Sequence, residues 1–224
     1  MNLGRTPFCV ESWRSALVAV CIFRVLVFRH LTDLPELCMA TKIEPLMTVL
    51  DLEAMPEDGN RYEVIEGELF VSCAPGLTHQ QVSMNIAFLI RSYLESHPIG
   101  LVFATPGLIL TELSGVIPDV VFFRHERSEE IVSGERLTGA PDLVVEILSP
   151  GAENIRRDRI AKRQLYAQHG VAEYWMVDPE KRALEVYRLK SGSLELVATL
   201  KDEDEVHSPF LPGFSCATAA IFRK

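Results

Sequence analysis

The chain is short of several features that would have settled its class at once. Its five cysteines, Cys9, Cys21, Cys38, Cys73 and Cys216, contain no C-x-x-C pair, so the spacing of zinc ribbons and dithiol redox motifs is missing. A reducing cytoplasm is the expected compartment. Apolar runs are short as well. Residues 16–28, ALVAVCIFRVLVF, are interrupted by Arg24 and fall well below the roughly 20 residues that span a bilayer, which excludes a transmembrane helix there. The HLTDLPELC that follows offers neither the clean apolar core nor the small-residue cleavage site of a signal peptide. Thirteen glycines and thirteen prolines are spread without a period, so collagen-like, low-complexity and solenoid architectures are excluded. Basic residues are also scarce: 22 Lys and Arg stand against 31 Asp and Glu, a net charge of -9. A protein so charged repels polyanions in bulk, which argues against a nonspecific nucleic-acid coat. It does not exclude an acidic metal site, which needs carboxylates by construction.

What is present is the composition of an ordinary globular protein: 224 residues, 48% hydrophobic and 24% charged. That is enough for one well-packed core. Residues 1–38 differ in composition and hold three of the five cysteines. They read as a nonessential extension, disordered or arising from a start assigned too far upstream, with Met39 as the natural beginning and 39–224 as the domain. Setting them aside removes four arginines and three acids, and leaves the domain more acidic still.

Local patterning outlines a mixed α/β domain with a central sheet. Residues 47–55 have helical apolar spacing and stop at Pro56 and Gly59. RYEVIEGELFVS alternates about Gly67 as a hairpin with one buried face. Thr78 can cap a helix over residues 79–96, with Val82, Ile86, Leu89, Ile90 and Tyr93 inward. Three strands follow, LVFAT, LILTEL and VIPDVVFF, and then a polar surface loop over residues 124–141. DLVVEILS is the most apolar strand and is expected to be covered on both faces. A second helix runs from about Asn154 to Gly170, with Ile155, Ile160, Leu165 and Tyr166 inward, and strands EYWMVD, ALEVYRL and LELVATL close the domain.

Three places carry chemistry. Asp119 lies in the apolar VIPDVVFF; a buried carboxylate must pair, bind a metal or lie at an open strand end. An aspartate hydrogen-bonded at a bend accounts for it equally well. Glu146 interrupts DLVVEILSP, and strand alternation puts Asp142, Val144, Glu146 and Leu148 on one side. The next helix carries Arg156, Arg157, Arg159, Lys162 and Arg163 against Asp158. The Asp158/Lys162 spacing fits a solvated i,i+4 pair, yet the segment also lets one lysine lean over the strand carboxylates. Two carboxylates from neighbouring strands can hold Mg²⁺ through oxygen, while an ammonium orients water and offsets charge on phosphate. The six histidines are scattered; His79, at a helix start, could assist such a site.

In the order RYEVIEGELFVS, THQQV, PDVVFF, APDLVVEILSP, the D-x-x-x-K of Asp158 and Lys162, and GVAEYWMVDPEKRALEVY, the chain resembles the Uma2 family of endonucleases. That family, formerly DUF820, belongs to the PD-(D/E)xK restriction-endonuclease-like superfamily. The resemblance implies a restriction-endonuclease-like core with an extra N-terminal hairpin. It also implies Mg²⁺ or Mn²⁺ held by Asp119 and Glu146, and a catalytic lysine. The standard E-x-K lysine would stand at position 148, where this chain has Leu148, so Lys162 of the following helix is the position that fits. Glu66, Asp142, Asp158 and Tyr166 are outer-shell candidates.

The leading expectation is a metal-dependent DNA endonuclease with Asp119, Glu146 and Lys162 as its catalytic residues and no membrane partner. Net acidity and the displaced lysine favour an alternative, a catalytically inactive nuclease-fold module that binds nucleic acid or protein. A third expectation is a homodimer joined through the apolar C-terminal strands.

Overall fold

A computed structural model describes residues 45–224; the N-terminal extension expected over 1–38 lies outside them. The chain runs α1 (Val49–Leu52), β1 (Arg61–Ile65), β2 (Glu68–Ser72), α2 (Leu77–Ser96), β3 (Gly100–Ala104), β4 (Leu108–Thr111), β5 (Ser114–Val116) and β6 (Val120–Arg124). After a 3₁₀ turn (His125–Arg127) come α3 (Ser128–Ile131), β7 (Val132–Ser133), β8 (Arg136–Leu137) and β9 (Leu143–Ile147). Next are α4 (Ala152–Arg156), a π-helical segment (Arg157–Lys162) and α5 (Arg163–Gln168). The chain ends with β10 (Glu173–Asp178), β11 (Ala183–Lys190), β12 (Ser193–Lys201), β13 (Glu205–Ser208), β14 (Leu211–Ala217) and α6 (Thr218–Ile221).

The strands form two six-stranded sheets, β2-β1-β5-β4-β8-β7 and β12-β11-β10-β9-β6-β3, and a β13-β14 hairpin. In the second sheet β9 pairs parallel to β10 and antiparallel to β6. The expected mixed α/β architecture is therefore present, and β9, central and apolar, is buried at all five positions. Alternation divides its side chains. Leu143, Val145 and Ile147 pack with Val82, Ile86 and Ile90 of α2 and with Phe214 of β14, while Val144 meets Ile65, Leu165 and Tyr166 on the other face. The first sheet and α5 thus cover one side of the central sheet, and α2 with the C-terminal hairpin covers the other.

The β1-β2 turn is made by Glu66 and Gly67, both at positive φ (51° and 82°), as a two-residue hairpin of this hand requires. A Cβ on Gly67 would stand 2.8 Å from Cβ of Leu46, so the position needs glycine for space as well as for φ.

Several local expectations are corrected. The first helix is only the four residues of α1, opened by a reciprocal Thr48–Asp51 capping box. Helix α2 begins at Leu77 with Gly76 as N-cap, so Thr78 lies inside the helix and makes no cap hydrogen bond. VIPDVVFF is not one strand: β5 ends at Val116 and β6 begins at Val120, and Pro118 between them has no N–H to continue a ladder. The stretch 124–141 is not simply a surface loop: it holds α3, β7 and β8, and Ile131 and Leu137 are buried. The largest difference is in the second helix. Ile155 and Ile160 face outward, 39% and 50% exposed, while Arg157, Asp158 and Lys162 are buried with Leu165 and Tyr166. The π-type i→i+5 ladder brings residues five apart onto one face, so Arg157 and Lys162 turn inward together.

Candidate active site

The end of the β6-β9 ladder brings the first two carboxylates to one place. Val120 opposite Val145 is the last pair of that antiparallel ladder, and Asp119 and Glu146 follow just beyond it. The Asp119 N–H still donates to the Val145 carbonyl (3.2 Å), while the Ile147 N–H donates to the Asp119 carboxylate (2.8 Å). Asp119 therefore caps the end of β9, and both acids line one cavity of about 360 Å³.

Lys162 enters from the π segment. Its ammonium lies 2.9 Å from Oε1 of Glu146 and 2.7 Å from Oε1 of Glu63, with Oδ1 of Asp158 at 4.0 Å. The Tyr166 hydroxyl donates to the same Oε1 of Glu146 at 2.6 Å; neither contact uses Oε2. Arg157 bridges Asp158 (2.8 Å) and Glu63 (3.5 Å), and the Tyr174 hydroxyl donates to the Asp158 carbonyl. On the far side of Asp119 stand His79, its Nε2 3.2 Å away, and Arg61 at 3.6 Å. Nδ1 of His79 is buried without a hydrogen-bond partner among the described residues.

Burial drives the electrostatics. It pushes Glu146 up to about 8; the Lys162 charge opposes this, and Asp119, Asp158 and Glu63 add to it. Burial would lower the Lys162 ammonium, but Glu146, Glu63 and Asp158 together hold it above its ordinary value. Asp119 is pushed up by burial too, yet His79, the Ile147 N–H and Lys162 outweigh this and hold it below the usual carboxylate range. The Tyr166 hydroxyl is driven well above its ordinary value by burial and by the Glu146 charge, so it remains a donor.

Among the residues singled out from the sequence, Asp119, Glu146, Lys162, His79, Asp158 and Tyr166 converge, whereas Glu66 and Asp142 do not. Glu66 is exposed at the hairpin turn, and its N–H donates to the Ser114 hydroxyl. Asp142 lies at the opposite end of β9, buried against Arg124 and Arg127 as a structural ion pair. The Asp158–Lys162 spacing is not a solvated surface pair, since both side chains are 1% exposed. Glu63, Arg61 and Arg157 were missed. Glu63 shares its strand parity with the buried Ile65, so an acid on the inward side of the hairpin was the available signal.

Among the described residues no group of three His, Cys, Asp or Glu converges as a metal cage, and no helix is long and apolar enough to cross a membrane. The search among curated proteins returned no match. Among solved structures, the chain is similar to a protein from Anabaena variabilis described as "a putative nuclease belonging to DUF820", with TM-score 0.64 and 20% identity over 79% of this chain and 97% of that one. At that identity the likeness establishes the fold. The Uma2 family model, described as "Putative restriction endonuclease", matches residues 49–219, and with most of the described chain inside that match the protein belongs to the Uma2 family.

Proposed function

We propose that the protein is a divalent-metal-dependent endonuclease that hydrolyses DNA phosphodiester bonds in the cavity between Asp119 and Glu146. The observation that carries this is the pair of buried carboxylates in one cavity with a buried ammonium beside them. The donor set suits Mg²⁺ or Mn²⁺, because such ions are commonly held by one or two carboxylates and complete their shell with water and substrate oxygens. With Glu146 ionised, Glu63, Asp119, Glu146 and Asp158 outnumber Arg61, Arg157 and Lys162 by one charge, which favours a cation. Asp119 and Glu146 would hold it, and it would supply Lewis-acid polarisation of the phosphate and a more acidic water.

The remaining work falls to the chain. Lys162, kept charged by its carboxylates, cannot take a proton; it donates hydrogen bonds, positions the attacking water and offsets charge on the phosphate. Glu63 and Arg157 fix the direction of that ammonium. Arg61, at the cavity wall and 28% exposed, is placed to meet a phosphate oxygen. A catalytically silent binding module is favoured by one observation, the commitment of two of the three Lys162 donors to carboxylates at 2.7 and 2.9 Å.

One experiment separates the two. Supercoiled plasmid nicking in Mg²⁺ should fall at least about 10²-fold in Asp119→Ala and Glu146→Ala, with circular dichroism unchanged and Glu66→Ala cutting as the parent does. Equal nicking by parent and both variants would remove the assignment.

A further inference from the structure

A second cavity of about 610 Å³ adjoins the catalytic one and shares Gly76, His79, Ser149 and Pro150 with it. Its other walls include Leu77 and Ile155, 86% and 39% exposed, together with Leu148 and Pro179. These apolar groups at the start of α2 and in α4 face open space instead of the core. The polar groups beside them are mutually neutralised: Lys181 meets Asp178 at 3.0 Å, and Arg159 meets Asp178 at 3.7 Å and Glu185 at 2.9 Å. A balanced charge set is a poor phosphate site. Apolar walls with a few convergent hydrogen-bonding groups, at this volume, are the makings of a small-molecule pocket. A nucleobase has the matching character, with two apolar faces and one hydrogen-bonding edge.

Resting on the nuclease reading, we infer that this cavity takes an unpaired nucleobase of the substrate strand, adjacent to the phosphate in the catalytic cavity. His79 is the shared wall. Its Nε2 faces Asp119 and its Nδ1 is an unpartnered buried nitrogen, so the same ring borders the reacting carboxylate and the base. A stacked base in intact duplex cannot enter a pocket of this kind without leaving the helix. The preferred substrate is therefore single-stranded or locally unpaired DNA.

The test is binding, read by fluorescence anisotropy in Ca²⁺ with labelled oligothymidine, a strand of the same length made of abasic residues, and blunt duplex. Oligothymidine should bind about tenfold more tightly than the abasic strand, the size expected for burying part of one base's apolar faces against Leu77 and Ile155, and more tightly than duplex. The double variant Leu77→Ser, Ile155→Ser changes two solvent-facing side chains. It should lose that tenfold while its affinity for the abasic strand stays as it was. Equal affinity for the base-bearing and abasic strands, or a double variant indistinguishable from the parent, overturns the inference. So does free thymidine monophosphate that displaces oligothymidine at matched concentration, which would make the cavity a mononucleotide site. Cleavage assayed in parallel keeps the readings apart. Base-dependent binding without cutting removes only the hydrolase, and cutting with equal affinities removes only the nucleobase pocket.

Discussion

Lys162 is 1% exposed and closely paired to two carboxylates, so its removal leaves buried Glu146 without its cation and Glu63 with only Arg157 at 3.5 Å. Breaking a buried pair from one side costs about 3–5 kcal/mol. Lys162→Met should lower the urea-unfolding free energy by that amount, and adding Glu63→Gln should recover part of it; a loss below about 1 kcal/mol would mean the ammonium is not holding the acids. Glu146 gives the pH dependence. Its folded value is raised from 4.5 to about 8, so its contribution to stability is complete below pH 4.5 and is lost as pH rises through about 8. Asp119 is shifted the other way, and its contribution is present above its ordinary range and lost in acid. In the proposed metal site Mg²⁺ would need Glu146 ionised, so its stabilisation of the folded state should grow between pH 6 and about pH 8 and then level off, with a proton released on binding. Thermal shift with and without Mg²⁺ across that range checks this, and a shift that does not change with pH would count against Glu146 as a ligand.

The π segment between α4 and α5 shows where sequence patterning stops being informative. Ile155, Ile160, Leu165 and Tyr166 look like one apolar face at helical spacing, but only Leu165 and Tyr166 are buried. The inward side is instead shared by Arg157, Asp158 and Lys162, whose partners are Glu146 of β9, the preceding strand, and Glu63 of β1, far back in the chain. Charges buried through nonlocal pairing leave no periodic trace, so period-based reading assigns them to solvent. By contrast, β9 was legible because a continuous apolar run can only be covered on both faces, and Glu146 was legible as its exception. The meeting of Asp119 and Glu146 was accessible in part, since residue type marked both acids but only the folded end of β9, whose Ile147 N–H binds Asp119, brought them to one cavity. The inverted helix face can be measured. Ile160→Ser should change stability by no more than about 0.5 kcal/mol, as surface changes do, whereas Leu165→Ala should cost about 2–5 kcal/mol. Equal costs at the two positions would restore the simple amphipathic helix.

For the whole molecule the proposed function asks how a protein of net charge -9 would hold a polyanion. Arg157 and Lys162 are committed to Glu63, Asp158 and Glu146, which leaves Arg61 as the half-open cation of the catalytic cavity. Few phosphates can therefore be neutralised at once. Counterion release scales with their number, at about 0.7 per phosphate for single strands and 0.9 for duplex. Two or three contacts give a slope of log affinity against log salt near about -2, far shallower than that of proteins built around a basic groove. Arg61→Gln should reduce the slope by about 0.7 and weaken binding alike for all sequences, because a phosphate contact carries no base information. A divalent cation between the carboxylates should raise affinity by removing local repulsion, so the gain from Mg²⁺ should be lost in Asp119→Ala. Anisotropy titrations over a salt series decide the matter. A slope steeper than about -5 would require an extended basic track elsewhere on the surface, and substrate would then be gripped at a distance from the acids and not at the cavity they line.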